Sequence, residues 1–275
     1  MTYCYLNGKI IPEKNAKVSV TDIGVLRGYG AFDVIRTYRG TPFLFNEHFA
    51  RTEKAARALG VRMPIAKEKL LRVMLTLVKK NGFSEAAIRV VLTGGPAIGG
   101  IRFHKHTPTL YILATKLELP PPHAYTHGVT LMTHEYRREH PEVKTLNYFD
   151  AVSLQKKLRA RGAFEILYVW EGDVLEASTS NFFIFRGDTL VTPKDGVLKG
   201  VTRNKVIARA RRYFQVRERD VPMKEVWEAD EAFITATNKD VVPVTRIDGT
   251  KIGNGNVGPR TRRIMALFRA FMETC

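Results

Sequence analysis

The segment Lys116-Leu117-Glu118-Leu119-Pro120-Pro121-Pro122-His123, near the middle of the chain, constrains the fold more than any other. Consecutive prolines stiffen the backbone, withhold amide donors and interrupt both helix and sheet. The chain is therefore expected to divide there. A small N-terminal domain would span residues 1–118 and a larger C-terminal one 119–275, with the linker at about 116–124. A chain of 275 residues can supply both parts with cores without covalent staples.

On the N-terminal side, Thr2–Leu6 and Lys9–Pro12 read as strands around an Asn7-Gly8 hairpin turn. Ala31–Tyr38 and Thr41–Phe45 read as another pair, joined at Arg39-Gly40. Asn46 is then expected to cap a helix carrying Phe49, Ala50, Ala56 and Leu59, which stops near Gly60. Ala66–Asn81 predicts a second amphipathic helix with Leu70, Leu71, Met74, Leu75 and Val78 on one side. Ala87–Thr93 and Thr109–Thr115 predict paired strands.

Beyond the prolines, strands are expected at Gly128–Thr133, Glu165–Trp170, Asn181–Phe185, Thr189–Thr192 and Ala232–Thr237. Helices are expected at Tyr148–Gly162, Gly200–Tyr213 and Gly258–Met272. Hairpins dominate, and the regular alternation of a doubly wound parallel sheet is missing. The fold class is α+β in two domains.

Lys plus Arg number 44 against 27 Asp plus Glu, a formal charge of +17. Such a balance attracts anions, nucleic acid included. The densest clusters, Arg209-Ala210-Arg211-Arg212 and Arg260-Thr261-Arg262-Arg263, lie in amphipathic helical patterns and read as solvated faces. No nucleic-acid-binding signature accompanies them. A basic nucleic-acid-binding protein is the alternative from a different class, and neither nucleic acid nor membrane is an expected partner. Two cysteines, Cys4 and Cys275, exclude a disulfide framework. No apolar run approaches a membrane span and the first residues lack a signal-peptide core, so the expected setting is the cytoplasm. His104-Lys105-His106 has no third ligand nearby, and no metal is expected.

Three segments carry chemistry together. The first is Glu47-His48-Phe49-Ala50-Arg51, on a helix after a strand. The second is Val143-Lys144-Thr145-Leu146-Asn147-Tyr148, where Lys144 lies between a strand pattern and a helix start. The third runs from Leu175-Glu176 through Ser178-Thr179-Ser180-Asn181 and is followed by Gly200-Val201-Thr202. That last motif opens a helix, where unpaired amides and the dipole favour an anion.

In this order and at these separations, the segments resemble the fold-type IV pyridoxal-phosphate (PLP) enzymes, the class IV aminotransferases, from about Asp22 to Asp248. The resemblance implies a two-domain α+β fold with the active site between domains, and a homodimer with shared active sites. It implies PLP as cofactor, with a small-molecule amino acid and a 2-oxo acid as substrates. Lys144 matches the lysine that forms the Schiff base and moves the proton. Glu176 matches the partner of the pyridine nitrogen. Arg51 matches the phosphate arginine, supported by Val201, Thr202, Thr237 and Asn238. Tyr148 would bond the phenolic oxygen, and Arg137 would stand near Glu176.

Substrate choice turns on three cations. Arg27 stands where branched-chain aminotransferases resembling this chain have a tyrosine, and Ala87-Ile88-Arg89 replaces their Tyr-Ile-Arg strand. The Arg-x-His pair of well-known D-amino-acid transaminases is Gly94 and Pro96 here. Arg27, reaching from the partner subunit, Arg89 and Lys239 are the cations expected to bind substrate carboxylates. The alternative is that each pairs with an acid such as Asp33 or Asp240. The chain most resembles a noncanonical branch of D-amino-acid transaminases that uses an arginine at the Arg27 position, with D-glutamate and 2-oxoglutarate as one pair. Branched-chain L-aminotransferase, aminodeoxychorismate lyase and (R)-amine transaminase are the alternatives.

Overall fold

Asn7 and Gly8 both take positive φ, 43° and 101°, and close the first hairpin with Tyr3 opposite Pro12 and Leu6 opposite Lys9. Central residues with positive φ match a tight hairpin to the twist of its strands. This hairpin forms one edge of a six-stranded antiparallel sheet. Its strands run in the order Lys9–Pro12, Tyr3–Leu6, Thr109–Lys116, Ala86–Thr93, Gly30–Tyr38, Thr41–Pro42. The computed structural model describes residues 1–275 and contains two units. The first comprises Met1–Glu118 together with Val143–Asn147, and the second Leu119–Glu142 together with Tyr148–Cys275.

In the first unit the helices Phe45–Ala58 and Lys67–Lys80 cover the sheet. Leu70, Val73, Met74, Leu77 and Val78 form the buried stripe of the second helix, packed with Ile35, Ile88, Val90 and Ile112. Leu75, expected on that stripe, is exposed, because the buried face follows positions 70, 73, 74, 77 and 78. Asn46 is not the cap of the earlier helix. The chain enters it through Leu44 in the left-handed region, φ 54°, with His48 N–H donating to Leu44 O. Burial of Phe43 and of the stripe His48, Phe49, Thr52, Ala55 and Ala56 sets that entry, and Ala50 faces solvent. Tertiary packing overrides the local capping preference.

The second unit is built on a ten-stranded mixed sheet. Asp240–Ile247, Val129–Glu135 and Glu165–Trp170 are successive parallel neighbours, while Asn181–Arg186, Glu231–Ala236 and Asp240–Ile247 are antiparallel. Phe182, Ile184, Ile234, Val242, Leu131 and Leu167 lie in its core. The strand Asp240–Ile247 carries Pro243, which masks its strand character in the sequence. Pro243 pairs with Phe233 on one side, and the ladder to the Val129 strand begins only at Val244. A missing amide donor is tolerated where one side of the strand is unpaired.

Two local expectations change. The helix expected over Tyr148–Gly162 is broken at Leu154 into Phe149–Ser153 and Gln155–Ala160, with the Gln155 side-chain amide donating to Ala151 O at the break. The proline segment is more than a spacer. Pro121 precedes a short helix, Pro122–Thr126, which Pro122 opens; the first helical position needs no amide donor.

Candidate functional site

In the first unit, Lys144 is held against the strand Gly30–Tyr38. Phe32 N–H donates to Lys144 O at 2.8 Å, and Leu146 N–H to Gly30 O at 3.0 Å. Lys144 Nζ stands 4.7 Å from the centre of the Phe32 ring, and the Arg89 guanidinium carbon 5.6 Å from the same centre. The strand thus brings together the expected catalytic amine and one expected substrate cation. Arg89 projects outward between buried Ile88 and Val90.

Arg51 reaches back from the helix Phe45–Ala58 to the same strand. Its Nε donates to Asp33 Oδ2 at 2.8 Å and its Nη2 to Asp33 Oδ1 at 2.5 Å, a two-pronged, charge-assisted pair. His48 Nδ1 lies 3.0 Å from Asp33 Oδ1. Asp33 is buried, which by itself raises its pKa, but Arg51 and His48 outweigh this and hold the carboxyl well below the ordinary range. Asp33 therefore belongs to Arg51 and not to Arg27.

Arg27 ends the short helix Ile23–Arg27, exposed, with Nη1 donating to Leu26 O at 2.8 Å and no ion pair. The helix is fixed by buried Asp22. Its Oδ1 accepts from Gly24 N–H at 2.7 Å, and its Oδ2 from the hydroxyls of Thr93 and Thr109 at 2.9 and 2.5 Å.

In the second unit, Glu176 is 5% exposed and its carboxylate is held from three directions. Arg138 Nε donates to Oε1 at 2.9 Å, while Asn181 Nδ2 and Leu198 N–H donate to Oε2 at 3.1 and 3.0 Å. Arg138 Nη2 also donates to Ser178 O at 2.6 Å, and its guanidinium carbon lies 4.9 Å from the Tyr148 ring centre. The arginine beside Glu176 is thus Arg138, and Arg137 is exposed. Both follow the strand Val129–Glu135, where side-chain alternation no longer assigns a face. Burial by itself lowers the pKa of Arg138, but the Glu176 carboxylate together with Tyr148 and Tyr168 outweighs it and raises the value.

Gly200 precedes the helix Val201–Ala210, whose first turn has no side-chain cap. The amides of Val201 and Thr202 lie in that turn, where helical bonding leaves donors unpaired. A Cβ on Gly200 would come 2.2 Å from Asn181 Oδ1, so this close approach requires glycine. Thr237, Asn238 and Lys239 form the loop of the hairpin in which Ala236 pairs with Asp240.

Lys239, expected among the substrate cations, has partners within the chain. Its Nζ donates to Glu165 Oε2 at 2.7 Å, to Thr179 Oγ1 at 2.5 Å and to Ser180 Oγ at 3.0 Å. This cation is paired within the chain, and it balances Glu165, 4% exposed, which would otherwise be a buried carboxylate without a counter-charge. Burial raises the pKa of Glu165, but Lys239 and the hydroxyls of Ser180 and Thr179 outweigh it and lower the value.

Arg138, Glu165, the bond of Asn181 to Glu176 and the partnership of Asp33 with Arg51 were not read from the sequence. One signal was present for the last: His48 and Arg51 share a helix face, opposite a strand that alternates Ala31, Asp33, Ile35 toward it.

The donor chemistry in each unit fits a phosphorylated pyridine aldehyde. The first unit offers a half-buried amine, Lys144, and an oriented guanidinium, Arg51. The second offers a buried carboxylate, Glu176, an uncapped helix start at Val201 and Thr202, and the Thr237 hydroxyl. These types suit, respectively, a carbonyl carbon, a phosphate, a ring nitrogen and again a phosphate.

The sequence pattern described as Amino-transferase class IV matches residues 30–247. A Methanocaldococcus jannaschii protein with the provisional name branched-chain-amino-acid aminotransferase is 36% identical, over 96% of this chain and 94% of its own. The D-alanine aminotransferase of Bacillus licheniformis is 30% identical, over 94% and 93%. Among solved structures, the branched-chain aminotransferase of the thermophilic archaeon Thermoproteus uzoniensis with norvaline superposes with a TM-score of 0.89 at 28% identity, covering 98% of this chain and 94% of that one. Another branched-chain amino acid aminotransferase, solved with pyridoxamine 5′-phosphate, superposes with a TM-score of 0.91 at 27% identity over the same shares of the two chains.

Proposed function

The chain belongs to the class IV aminotransferases, and from that premise we propose that it moves an amino group between a D-amino acid and a 2-oxo acid, with D-glutamate and 2-oxoglutarate as one pair. The observation that carries the substrate assignment is the division of charges in the first unit. Asp33 is taken by Arg51 and His48, while Arg27 makes no ion pair within the chain. A guanidinium left in that condition suits a carboxylate brought by substrate. Arg89 is the second cation for this task; Lys239 is paired with Glu165.

PLP is the cofactor of the family and supplies an electrophilic carbonyl and an electron sink. Lys144 is the catalytic residue of the proposal: its Nζ would hold the cofactor at its carbonyl carbon and would take and return the proton of the substrate Cα. Glu176 would hold positive charge on the ring nitrogen, and Arg138, Asn181 and the Leu198 amide fix its carboxylate. Arg51, oriented by Asp33, would hold phosphate, as would the amides of Val201 and Thr202 together with Thr237 and Asn238. Tyr148 would donate to the phenolic oxygen of the cofactor. The proposal extends to a homodimer with shared active sites in the cytoplasm. No helix of the chain is long and apolar enough to cross a membrane.

The similarity to the Methanocaldococcus jannaschii protein favours a second reading, transamination of branched-chain L-amino acids. A half-reaction screen decides between them. PLP-loaded protein is mixed with the D- and L-enantiomers of alanine, glutamate and leucine, and loss of the visible cofactor absorbance is followed. Bleaching by D-glutamate or D-alanine is expected. Reaction with L-leucine and with no D-amino acid would establish the second reading instead.

A further inference from the structure

We infer that the Lys239–Glu165 ion pair is a positioning element that locks two cofactor-facing loops of the second unit to each other. The inference rests on the proposed cofactor roles of Glu176 and Thr237. Glu165 opens the strand Glu165–Trp170, and its carboxylate gathers the Ser178–Ser180 loop. Its Oε1 accepts from the Ser178 hydroxyl at 3.3 Å, from Thr179 Oγ1 at 2.8 Å and from the Thr179 amide. Its Oε2 accepts from the Ser180 hydroxyl at 2.8 Å.

That loop stands between Glu176 and Asn181, which bond each other, and its Ser178 carbonyl accepts from Arg138, the arginine that holds Glu176. Its placement therefore sets the direction in which the Glu176 carboxylate points.

Lys239 comes from the other loop, Thr237-Asn238-Lys239. Its backbone fixes that loop, with Lys239 N–H donating to Ala236 O at 3.1 Å and Lys239 O accepting from the Tyr125 hydroxyl at 3.1 Å. Its side chain leaves the loop and inserts its ammonium among Glu165, Thr179 and Ser180. One buried ion pair thus ties the loop bearing the ring-nitrogen carboxylate to the loop bearing Thr237 and Asn238. Charged hydrogen bonds of this kind hold geometry more tightly than neutral ones, and a cofactor cradle gains affinity from such preorganisation.

The test uses the full chain stripped of cofactor and titrated with pyridoxamine 5′-phosphate. This compound has no aldehyde for Lys144 to bond, so its affinity reports the cradle alone. Lys239→Met is expected to weaken binding at least tenfold, which is ~1.4 kcal/mol. Lys239→Arg, which keeps the charge, should restore affinity to within threefold of the parent. Lys239→Met strands a buried carboxylate and can fail to fold. The double variant Glu165→Gln/Lys239→Met removes both charges, while the new side-chain amide keeps bonds to the Ser178–Ser180 loop. It should melt close to the parent and still bind at least tenfold more weakly.

Parental affinity in the folded double variant would overturn the proposal, as would an arginine variant as weak as the methionine one. Failure of the double variant to fold would also overturn it, since the pair would then be an element of the fold. A parent protein that does not bind pyridoxamine 5′-phosphate would refute the cofactor roles on which the inference rests.

Discussion

Arg138 Nε lies 2.9 Å from Glu176 Oε1, and the same guanidinium bonds the carbonyl of Ser178, two residues beyond its carboxylate partner. The carboxylate assigned to the ring nitrogen is therefore already part of a buried, charge-balanced cluster. Its substitution has a structural consequence and a chemical one, and the two are separable by experiment.

Glu176→Gln leaves Arg138 without its carboxylate. Losing one member of a buried pair costs about 3–5 kcal/mol, and urea titration should show a loss of that order. At a temperature where the variant is folded and loaded with PLP, the D-glutamate half-reaction should slow by more than tenfold, because an amide does not stabilise a pyridinium charge. A rate within twofold of the parent would remove Glu176 from its role.

Lys144→Ala should abolish multiple turnover, since the proton carried by Nζ has no other carrier in the proposed mechanism. The cradle should remain, and titration with pyridoxamine 5′-phosphate should give an affinity within about tenfold of the parent, ~1.4 kcal/mol. Sustained transamination by this variant would refute the assignment of Lys144.

Asp33 gives a pH signature. Its carboxyl is held below the ordinary range in the folded chain, chiefly by Arg51 against the opposing effect of burial. Its stabilising contribution is complete above the unfolded value of about 3.9 and is lost as pH falls through the depressed folded value. Asp33→Asn should therefore be less stable than the parent at neutral pH, and the gap should narrow on acidification below about pH 4. Urea midpoints of both proteins at neutral and acid pH measure the gap; a gap that widens with acid would contradict the pairing.

Gly200→Ala places a methyl group where Asn181 Oδ1 is 2.2 Å away. Asn181 must move and give up bonds to Glu176 and Leu198. The expected cost is about 1–3 kcal/mol, read by thermal melting, together with weaker binding of pyridoxamine 5′-phosphate. An unchanged melting temperature with unchanged affinity would show that the contact is not constraining.

Arg27→Tyr separates substrate binding from structure. Arg27 makes no ion pair in the chain, so the melting temperature should stay parental and PLP content intact. Loss of a charge-assisted bond to substrate, about 1.5–3 kcal/mol, should lower the D-glutamate half-reaction roughly tenfold or more. A fall in stability with the half-reaction unchanged would assign Arg27 to structure.

Residue order alone settles what local chemistry controls. The Asn7-Gly8 hairpin and the strands Lys9–Pro12, Glu165–Trp170 and Thr189–Thr192 stand as their patterns predict, because turn residues and apolar periodicity act over a few positions. The segments around Arg51, Lys144 and Glu176 could be picked out by their resemblance to the motifs of a family, and the family is the one the whole chain matches. Partnership was decided only by the tertiary structure. Lys239 and Glu165 are 74 positions apart, and Arg138 and Glu176 are 38 apart. No periodicity encodes which lysine meets a buried carboxylate or which of two adjacent arginines turns inward. That choice follows from the cost of burying a charge without its counterpart, which exists only once the strands have assembled and water has left.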